Sequence, residues 1–229
     1  MKNKVLLDTR INRKSVETLI KLGYEPVFIP ECKNLQKPVS AHPDMSVFTI
    51  DCVIFTTREL VHLFGDREVV VCKREEEPLK YPKDIMFNCA VVGNNVLCKI
   101  DNTNKKVLEY LSLNNYNIVN VNQGYAKCST CIVSDNAIIT EDENIEQAAI
   151  KSGIEVLKIK KGFVNLDGYE YGFIGGASGL LNNNLLCFNG NIEKHPDYSR
   201  ICGFCRKFNV EILSLNDDVL YDVGSIIAI

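Results

Sequence analysis

Apolar and polar positions alternate in the same way at five places along the chain. At each place a polar turn precedes a short run with an apolar residue at every second position, the period of a half-buried strand. The five runs are residues 23–29, 66–72, 115–121, 153–159 and 208–215. Four of them follow a stretch with apolar residues at helical spacing, and residues 57–64 are a weaker example. The four predicted helices are residues 12–22, 103–113, 143–152 and 197–207.

Paired apolar runs joined by turn residues lie ahead of these helices. Residues 91–97 indicate two strands joined by Gly-Asn-Asn, where a hairpin turn needs positive φ. Residues 132–139 repeat the arrangement with Asp-Asn, and residues 180–186 repeat it with three asparagines. The repeating unit is therefore strand, strand, helix, strand. Its irregular spacing of roughly forty to fifty residues is typical of a propeller-like array.

The two ends of the chain each supply part of such a unit. Residues 4–8 predict a strand followed by a helix, and residues 222–229 predict a strand with no helix after it. In a closed ring the two would complete one blade and remove the exposed strand edges of an open array. The predicted fold is thus α/β, a five-bladed propeller around a central pocket in a single domain, residues 1–229. The predicted blades are 222–229 with 1–30, 42–73, 86–122, 128–160 and 172–216. The alternative is an ordinary α/β or α+β sandwich whose strands happen to end alike.

Charge and composition narrow the class of partner. The 229 residues carry a net charge of -3 with a pI of about 5.7, which argues against nucleic acid or an anionic membrane as a partner. No apolar run approaches the ~20 residues of a membrane span. The start of the chain lacks a signal-peptide core, so a cytoplasmic protein is expected, with its ten cysteines mostly reduced. The oligomeric state stays open, a homo-oligomer included, and a small molecule in the central pocket is the predicted partner.

Three residues from two parts of the repeat suggest nucleophilic chemistry. His42 and Asp44 lie two residues apart at the start of one predicted blade. Cys128 follows Gly124-Tyr-Ala-Lys at the start of another. A histidine, a carboxylate and a cysteine brought together can activate a thiol as a nucleophile.

These segments resemble the pentein superfamily, a ring of five such units shared by arginine deiminase, dimethylarginine dimethylaminohydrolase and the amidinotransferases. Residues 42–51 resemble the arginine deiminase pattern His-x-Asp-Thr-x-Phe-Thr-x-x-Asp, and residues 88–102 resemble the blade that follows it. Residues 124–131 resemble the family's Gly-rich segment that ends in the nucleophilic cysteine. In the deiminases this cysteine lies near the C-terminus, so the chain resembles a circularly permuted deiminase.

The resemblance implies a role for each matched residue. Cys128 would be the nucleophile, His42 would shuttle protons, and Asp44 would grip a guanidinium group. Asp222 lies where the family carries the acid that orients the histidine, although it is one methylene shorter. The second acid of that family motif falls on Ser225, and a further acid is missing from residues 173–176.

The implied activity is a cysteine-dependent hydrolase or transferase acting on a guanidino, amidino or related C–N compound through a thiouronium-type intermediate. Neither a cofactor nor a metal is predicted for this chemistry. Lys127 is expected to favour the thiolate of Cys128, and the Gly-rich residues 172–179 to bring backbone close to the ligand. The predicted binding residues besides Asp44 are Asp8, Arg10, Lys127, Ser129, Phe173, Gly175, Gly176 and His195.

Each of these features also has a purely structural interpretation. His42 and Pro43 are also consistent with a turn that starts a strand, and Cys128 with an unreactive cysteine at the start of one. His195 fits a helix N-terminus as well as a pocket. Two Cys-x-x-Cys pairs, Cys128/Cys131 and Cys202/Cys205, have the spacing of zinc ligands and would suit a zinc-stabilised binding module.

A non-catalytic pentein that only binds a ligand or a protein is the main rival to an enzyme. The number of carboxylates beside Cys128 and His42 separates the two, because a guanidine hydrolase needs at least two.

Overall fold

Five three-stranded sheets form the blades of the ring in the computed structural model, which describes residues 3–75 and 77–229. In each sheet the central strand pairs antiparallel with one neighbour and parallel with the other. In the second blade, for example, Val47 lies opposite Thr56 in the antiparallel pair and Ile54 opposite Val69 in the parallel pair. The predicted five-bladed α/β propeller is therefore confirmed. The strands are β1 Lys4–Asp8, β2 Glu25–Ile29, β3 Val47–Ile50, β4 Val53–Thr57, β5 Val69–Cys72, β6 Ala90–Val92, β7 Asn95–Cys98, β8 Asn117–Asn120, β9 Cys131–Ser134, β10 Ala137–Thr140, β11 Glu155–Lys158, β12 Ser178–Asn182, β13 Leu185–Phe188, β14 Glu211–Ser214 and β15 Ile227–Ala228.

Four long helices connect the parallel strands, as the periodicity predicts. The five described α-helices are these four together with the single-turn helix α2: α1 Arg13–Lys21, α2 Pro43–Ser46, α3 Lys105–Leu113, α4 Glu143–Lys151 and α5 Tyr198–Lys207. The weak helix expected at 57–64 is instead a 3-10 helix, Arg58–Leu63. His42 has the extended backbone expected of a residue before proline, with φ of -62° and ψ of 123°. Pro43 then stands at the first position of the single-turn helix α2, where its missing N–H costs nothing, and the chain continues into β3.

The repeated polar turn has one physical cause in all five blades. After each helical connection one residue takes a left-handed conformation and turns the chain into the outer strand. Glycine suits this position because it has no Cβ to clash, and asparagine tolerates it. Those residues are Gly23, Gly65, Asn115, Gly153 and Asn209, with φ of 91°, 59°, 59°, 79° and 57°.

The ends of the chain close the ring, as predicted. β15 pairs antiparallel with β1, placing Val5 opposite Ala228, and β1 pairs in parallel with β2. Lys4 and Ile229 exchange both backbone hydrogen bonds, at 3.2 and 2.9 Å. The first blade is thereby assembled from both ends, and its sheet has the same three-stranded form as the other four.

Five apolar clusters lie between neighbouring blades, one at each junction. Phe48 and Phe55 of the second blade, for example, share a cluster with Val96 of the third, and Val5 of the first shares one with Cys187 of the fifth. A sixth cluster lies under the loops at one mouth of the ring. Because every blade buries apolar surface against both neighbours, the ring depends on its closure.

Among the helices that the structure describes, none is long and apolar enough to cross a membrane.

Candidate active site

The segment just before the innermost strand of each blade points at the centre of the ring. His42, Phe173 and Asp222 each lie five residues before the inner strand of their blade. Asp44 and Cys128 each lie three residues before theirs. Equivalent positions of different blades converge in a propeller, so side chains far apart in sequence meet here.

Cys128 lies at the bottom of this centre, with 3% of its surface exposed. Its Sγ donates a hydrogen bond to Oδ2 of Asp44 at 2.9 Å and accepts one from Nδ2 of Asn88 at 3.3 Å. The amide oxygen of Asn88 accepts the backbone N–H groups of Lys127 and Cys128. Burial, followed by the negative charges of Asp44 and Asp222, raises the pKa of the Cys128 thiol well above its usual value. Without a ligand the sulfur is therefore a neutral thiol.

His42 is held between two carboxylates and hydrogen-bonds neither. Its Nδ1 lies 3.9 Å from Oδ1 of Asp222, and its Nε2 lies 3.9 Å from Oδ2 of Asp8. Burial lowers the pKa of His42 to about 4; the charge of Asp44 opposes this effect and that of Arg10 adds to it. The imidazole is thus neutral at pH 7, and its buried Nδ1 has no hydrogen-bond partner.

Asp44 uses only one of its two carboxylate oxygens. Oδ2 accepts hydrogen bonds from Cys128 and from Oγ of Ser225, the latter at 2.8 Å. Oδ1 is buried and has no partner. A buried acceptor without a donor is costly, so this oxygen marks a place where a ligand N–H would bind favourably.

Asp222 is fixed by backbone N–H groups. It accepts those of Phe173 and Gly224, each at 2.9 Å. Burial and the charge of Asp44 raise the pKa of Asp222 to about 7, against the two N–H groups and Lys127, which lower it. This carboxyl group is therefore partly protonated near neutral pH.

Asp8 and Arg10 form a fixed pair beside His42. Arg10 donates to both oxygens of Asp8, at 2.9 and 2.6 Å, and to the carbonyls of Lys37 and Pro38. The hydrogen bond from Arg10 to Asp8 leads the causes that raise the pKa of the guanidinium. Both residues line a cavity of about 560 Å³ that shares His42 and Asp222 with the cavity above Cys128.

The cavity above Cys128 has a volume of about 240 Å³. Cys128, His42 and Asp222 line one part of it, and aromatic and apolar side chains line the rest. The other lining residues are Val39, Tyr125, Leu166, Tyr169, Glu170, Tyr171 and Phe173.

Two of the predicted binding residues lie elsewhere. Nζ of Lys127 donates to Oγ of Ser225 at 3.0 Å, and the residue lines a separate cavity that also reaches Asp44. The side chain of Ser129 is fully buried, and the residue does not line the cavity above Cys128. Neither residue lines the cavity above Cys128, and Lys127 shares its cavity with Asp44.

The predicted glycines and second histidine also differ from expectation. A Cβ on Gly176 would overlap the Asp222 carboxylate, and one on Gly175 would lie 2.5 Å from the Lys127 carbonyl oxygen. These glycines therefore let the backbone approach the rest of the site closely. His195 packs against Phe163, with ring centroids 5.4 Å apart, and lies outside the cavity above Cys128 because it begins the turn that leads into α5.

The donor atoms of His42, Cys128 and Asp222 lie within 4.8 Å of one another. A nitrogen, a sulfur and an oxygen at this spacing are a donor set that zinc accepts. The thiol already donates to Asp44, and Asp222 already accepts two N–H groups, so binding an ion would require rearrangement.

Three parts of the site were missed in the sequence. Asn88, which holds the thiol, lies just before the inner strand of its own blade, and alignment of the five repeats at that strand would have found it. Glu141 accepts the backbone N–H of Ile174 at 3.1 Å, and burial raises its pKa to about 8 against that N–H. The aromatic residues at 169 and 171 lie in a loop that carries no repeat signal.

Comparison with solved structures identifies the fold. An amidinotransferase of the saxitoxin biosynthetic pathway from Microseira wollei, SxtG, matches with a TM-score of 0.56 and 10% identity, over 93% of this chain and 88% of that one. A cysteine-to-serine mutant of DDAH from Pseudomonas aeruginosa, in complex with citrulline, matches with a TM-score of 0.55 and 11% identity, over 93% and 92%. Agmatine deiminase from C. jejuni matches with a TM-score of 0.54 and 12% identity, over 94% and 87%. All three are penteins, so the predicted pentein fold is confirmed.

Among curated proteins, none matches this chain. One family model covers residues 6–227, nearly the whole chain. The chain therefore belongs to that family, described as a family of unknown function (DUF6873).

Proposed function

We propose that this protein breaks or exchanges a C–N bond of a small guanidino or amidino compound through a covalent intermediate on Cys128. One observation carries the proposal: the thiol of Cys128, the imidazole of His42 and the carboxyl group of Asp222 meet at the base of one cavity, and the thiol is hydrogen-bonded to a second carboxylate, Asp44. Two carboxylates are the minimum expected for holding a planar nitrogen cation beside a nucleophile.

Asp44 supplies the binding group for the cation. Its unpartnered Oδ1 accepts an N–H of the ligand, and its negative charge offsets the cost of burying a positive one. The similar solved structures include an amidinotransferase, a DDAH bound to citrulline and an agmatine deiminase, which supports chemistry at this kind of group.

Ligand binding also activates the thiol. A cation beside Cys128 opposes the charges of Asp44 and Asp222, which help to raise the thiol pKa in the free protein. The thiol proton passes to the neutral imidazole of His42, and the thiolate attacks the central carbon of the ligand. Asp222, 3.9 Å from Nδ1, stabilises the imidazolium that forms.

The remaining steps return every group to its starting state. His42 gives its proton to the departing nitrogen, the C–N bond breaks, and a thiouronium remains on the sulfur. His42 then takes a proton from water, whose oxygen attacks the same carbon. The C–S bond breaks, and the sulfur regains the proton from His42. If an amine attacks in place of water, the same sequence transfers the amidino group.

A binding protein without catalysis is the second candidate. The observation that favours it is the resting state of the site, in which the thiol and the imidazole are both neutral. Such a protein would hold a cation against Asp44 and never form the C–S bond.

Incubation with a panel of guanidines and amidines separates the two candidates. We expect release of ammonia or amine by the wild type, a mass increase on Cys128 in quenched samples, and neither with Cys128→Ala. Cys202→Ala, a half-buried cysteine on α5, is the matched control and should retain both signals. Saturable binding of a guanidine without product and without adduct would overturn the enzyme and leave the binding protein.

A further inference from the structure

Four aromatic side chains form one side of the cavity above Cys128, and we call them the aromatic wall. The wall consists of Tyr125, Tyr169, Tyr171 and Phe173. The ring centroids of Tyr125 and Phe173 lie 6.3 Å apart, and Tyr171 stands at 90° to Phe173 at 6.2 Å. All four rings keep part of their surface free, so the wall offers aromatic faces and edges to whatever fills the cavity.

The charged residues that line this cavity carry no positive charge at neutral pH. Among the residues described, its ionisable lining comprises Glu170, Asp222, His42, Cys128 and tyrosines, with no lysine or arginine. Burial keeps His42 neutral, with a pKa of about 4. The field inside the cavity is therefore negative, which attracts cations and repels carboxylates.

The nearest basic side chains are committed elsewhere. Arg10 donates its hydrogen bonds to Asp8 and to two backbone carbonyls. Lys127 donates to Ser225 and faces a different cavity. Neither residue lines the cavity above Cys128.

A buried carboxylate strengthens one ring of the wall. Tyr125 donates its hydroxyl hydrogen bond to Oδ2 of Asp84 at 3.0 Å, and Asp84 is fully buried. A phenol that donates to a carboxylate gains electron density in its ring, which improves its attraction for a cation. The second oxygen of Asp84 is buried without a hydrogen-bond partner. Burial raises the pKa of Asp84, while the hydrogen bond from Tyr125 and the charge of Arg74 oppose that shift.

From the wall and its charges we propose that the substrate has an apolar or positively charged tail without a carboxylate. The tail lies against the aromatic wall, and the guanidino or amidino head lies against Asp44 and Cys128. The class is an aryl- or alkyl-guanidine or -amidine, or a guanidine whose tail ends in an amine, rather than a guanidino acid. This inference rests on the proposed function for the head group and on the aromatic wall for the tail.

Binding to Cys128→Ala tests the tail without requiring any chemistry. The probes are benzylguanidine and 4-guanidinobutyrate, which share a head group and differ in the tail, each titrated by calorimetry. We expect benzylguanidine to bind at least about tenfold more tightly, since aromatic contact adds affinity and the buried negative field opposes the acid. Equal affinity, or tighter binding of 4-guanidinobutyrate, would overturn the inference and leave the proposed head-group chemistry standing.

Two variants and one control attribute the preference to the wall. Phe173→Leu should weaken benzylguanidine binding severalfold with little effect on 4-guanidinobutyrate, because it removes a ring and keeps an apolar side chain. Glu170→Lys should narrow or reverse the preference between the two probes by placing a cation in the lining. Phe163→Leu, an exposed phenylalanine outside the cavity, is the matched control and should change neither affinity.

Benzyltrimethylammonium separates failure of the head group from failure of the tail. This ion has an aromatic tail and a cationic head that cannot donate hydrogen bonds or form a thiouronium. If it binds as tightly as benzylguanidine, the wall and the charge hold while the guanidine-specific head group fails. If none of the three probes binds at millimolar concentration, both the tail class and the proposed function are wrong.

Discussion

At the residue scale, the proposed function gives Asp44 two opposing tasks. Its Oδ2 accepts the hydrogen bond of the Cys128 thiol, which helps to keep that thiol protonated. Its Oδ1 has no hydrogen-bond donor. The same charge that suppresses the free thiolate therefore attracts the cation that would activate it. A site built in this way protects its thiol until a cationic ligand arrives.

Replacement of Asp44 should separate these two tasks. Asp44→Asn removes the negative charge, so we expect the pKa of the Cys128 thiol to fall and iodoacetamide to alkylate it faster at neutral pH. The same variant should bind guanidines at least about thirtyfold more weakly, because a buried charge pair is lost. Alkylation rates against pH and calorimetry measure the two effects.

Ser225→Ala is the control for that experiment. It removes the other hydrogen bond to Oδ2 of Asp44 and keeps the carboxylate. It should therefore leave the thiol pKa high. A thiol that becomes less reactive in Asp44→Asn would contradict the role given to this carboxylate.

At the scale of elements, the site is positioned by the segment that precedes each inner strand. In the first blade this segment places Gly224 directly against His42, with φ of 65°. A Cβ at this position would overlap the Cβ of His42, and the left-handed conformation adds strain for any other residue. The glycine thus lets two segments from different blades touch.

Gly224→Ala should disable the site by displacing His42. We expect loss of thiouronium formation and a drop in stability of roughly 1–3 kcal/mol, as for other overpacked sites. Gly203→Ala in α5 is the matched control, because no atom outside its own helix would meet its Cβ. That variant should stabilise the protein by about 0.5–1 kcal/mol. Urea unfolding and turnover assays measure both, and an active, fully stable Gly224→Ala protein would refute the packing argument.

The elements could be predicted from sequence because their signals are local. The hairpin at 91–97 and the outer strand at 153–159 are specified by turn residues and by alternation within a few positions. The loop at 160–172 could not be predicted, because it has no periodicity and takes its path from contacts such as Tyr169 with Gln36. Four residues that line the cavity come from that loop, so their contribution could not be read from the sequence: Leu166, Tyr169, Glu170 and Tyr171.

The site was partly predictable for a different reason. His42 and Asp222 share one position relative to the repeat, and Asp44 and Cys128 share another, so the fold alone brings them together. The sequence does not reveal which hydrogen-bond partner each side chain takes. Lys127 was expected beside the ligand, but it turns to Ser225 and faces another cavity, and only the packing of the ring decides that direction.

At the scale of the whole molecule, stability depends on closure of the ring. Removal of residues 227–229 would delete β15, leave one edge of β1 unpaired and open the junction with the fifth blade. We expect a loss of roughly 2–4 kcal/mol from the backbone hydrogen bonds and apolar contacts involved. Thermal unfolding and light scattering should show a lower Tm and a greater tendency to aggregate. An unchanged Tm would mean that the blades are stable without closure.

Buried ionisable groups make stability depend on pH. Burial raises the pKa of Glu141 from 4.5 to about 8 and that of Asp222 from 3.8 to about 7, so the folded state holds both protons more tightly than the unfolded state. Their contribution to the free energy of unfolding is complete below about pH 4 and is lost as the pH rises through 7 and 8. His42, with its pKa lowered from 6.5 to about 4, has the opposite slope between those two values. Stability should therefore fall most clearly between pH 6.5 and 8.

Glu141→Gln tests this pH dependence. The amide keeps an acceptor for the N–H of Ile174 and removes the titrating group, so the fall in stability between pH 6.5 and 8 should shrink by up to about 2 kcal/mol. Exposed Glu143→Gln, at the first position of α4 two residues after Glu141, is the matched control. Urea unfolding at the two pH values measures the slope, and an unchanged slope in Glu141→Gln would contradict the assignment.

The most direct test compares the labelling of Cys128 by two reagents of similar size, cationic 2-chloroacetamidine and neutral 2-chloroacetamide. If the site binds an amidinium against Asp44 and thereby activates the thiol, the amidine should label Cys128 at least about tenfold faster than its intrinsic reactivity predicts. That advantage should disappear in Asp44→Asn, where the carboxylate that holds the cation is gone. Equal and slow labelling by both reagents, indifferent to Asp44, would contradict the account of this centre as a cation-activated thiol site.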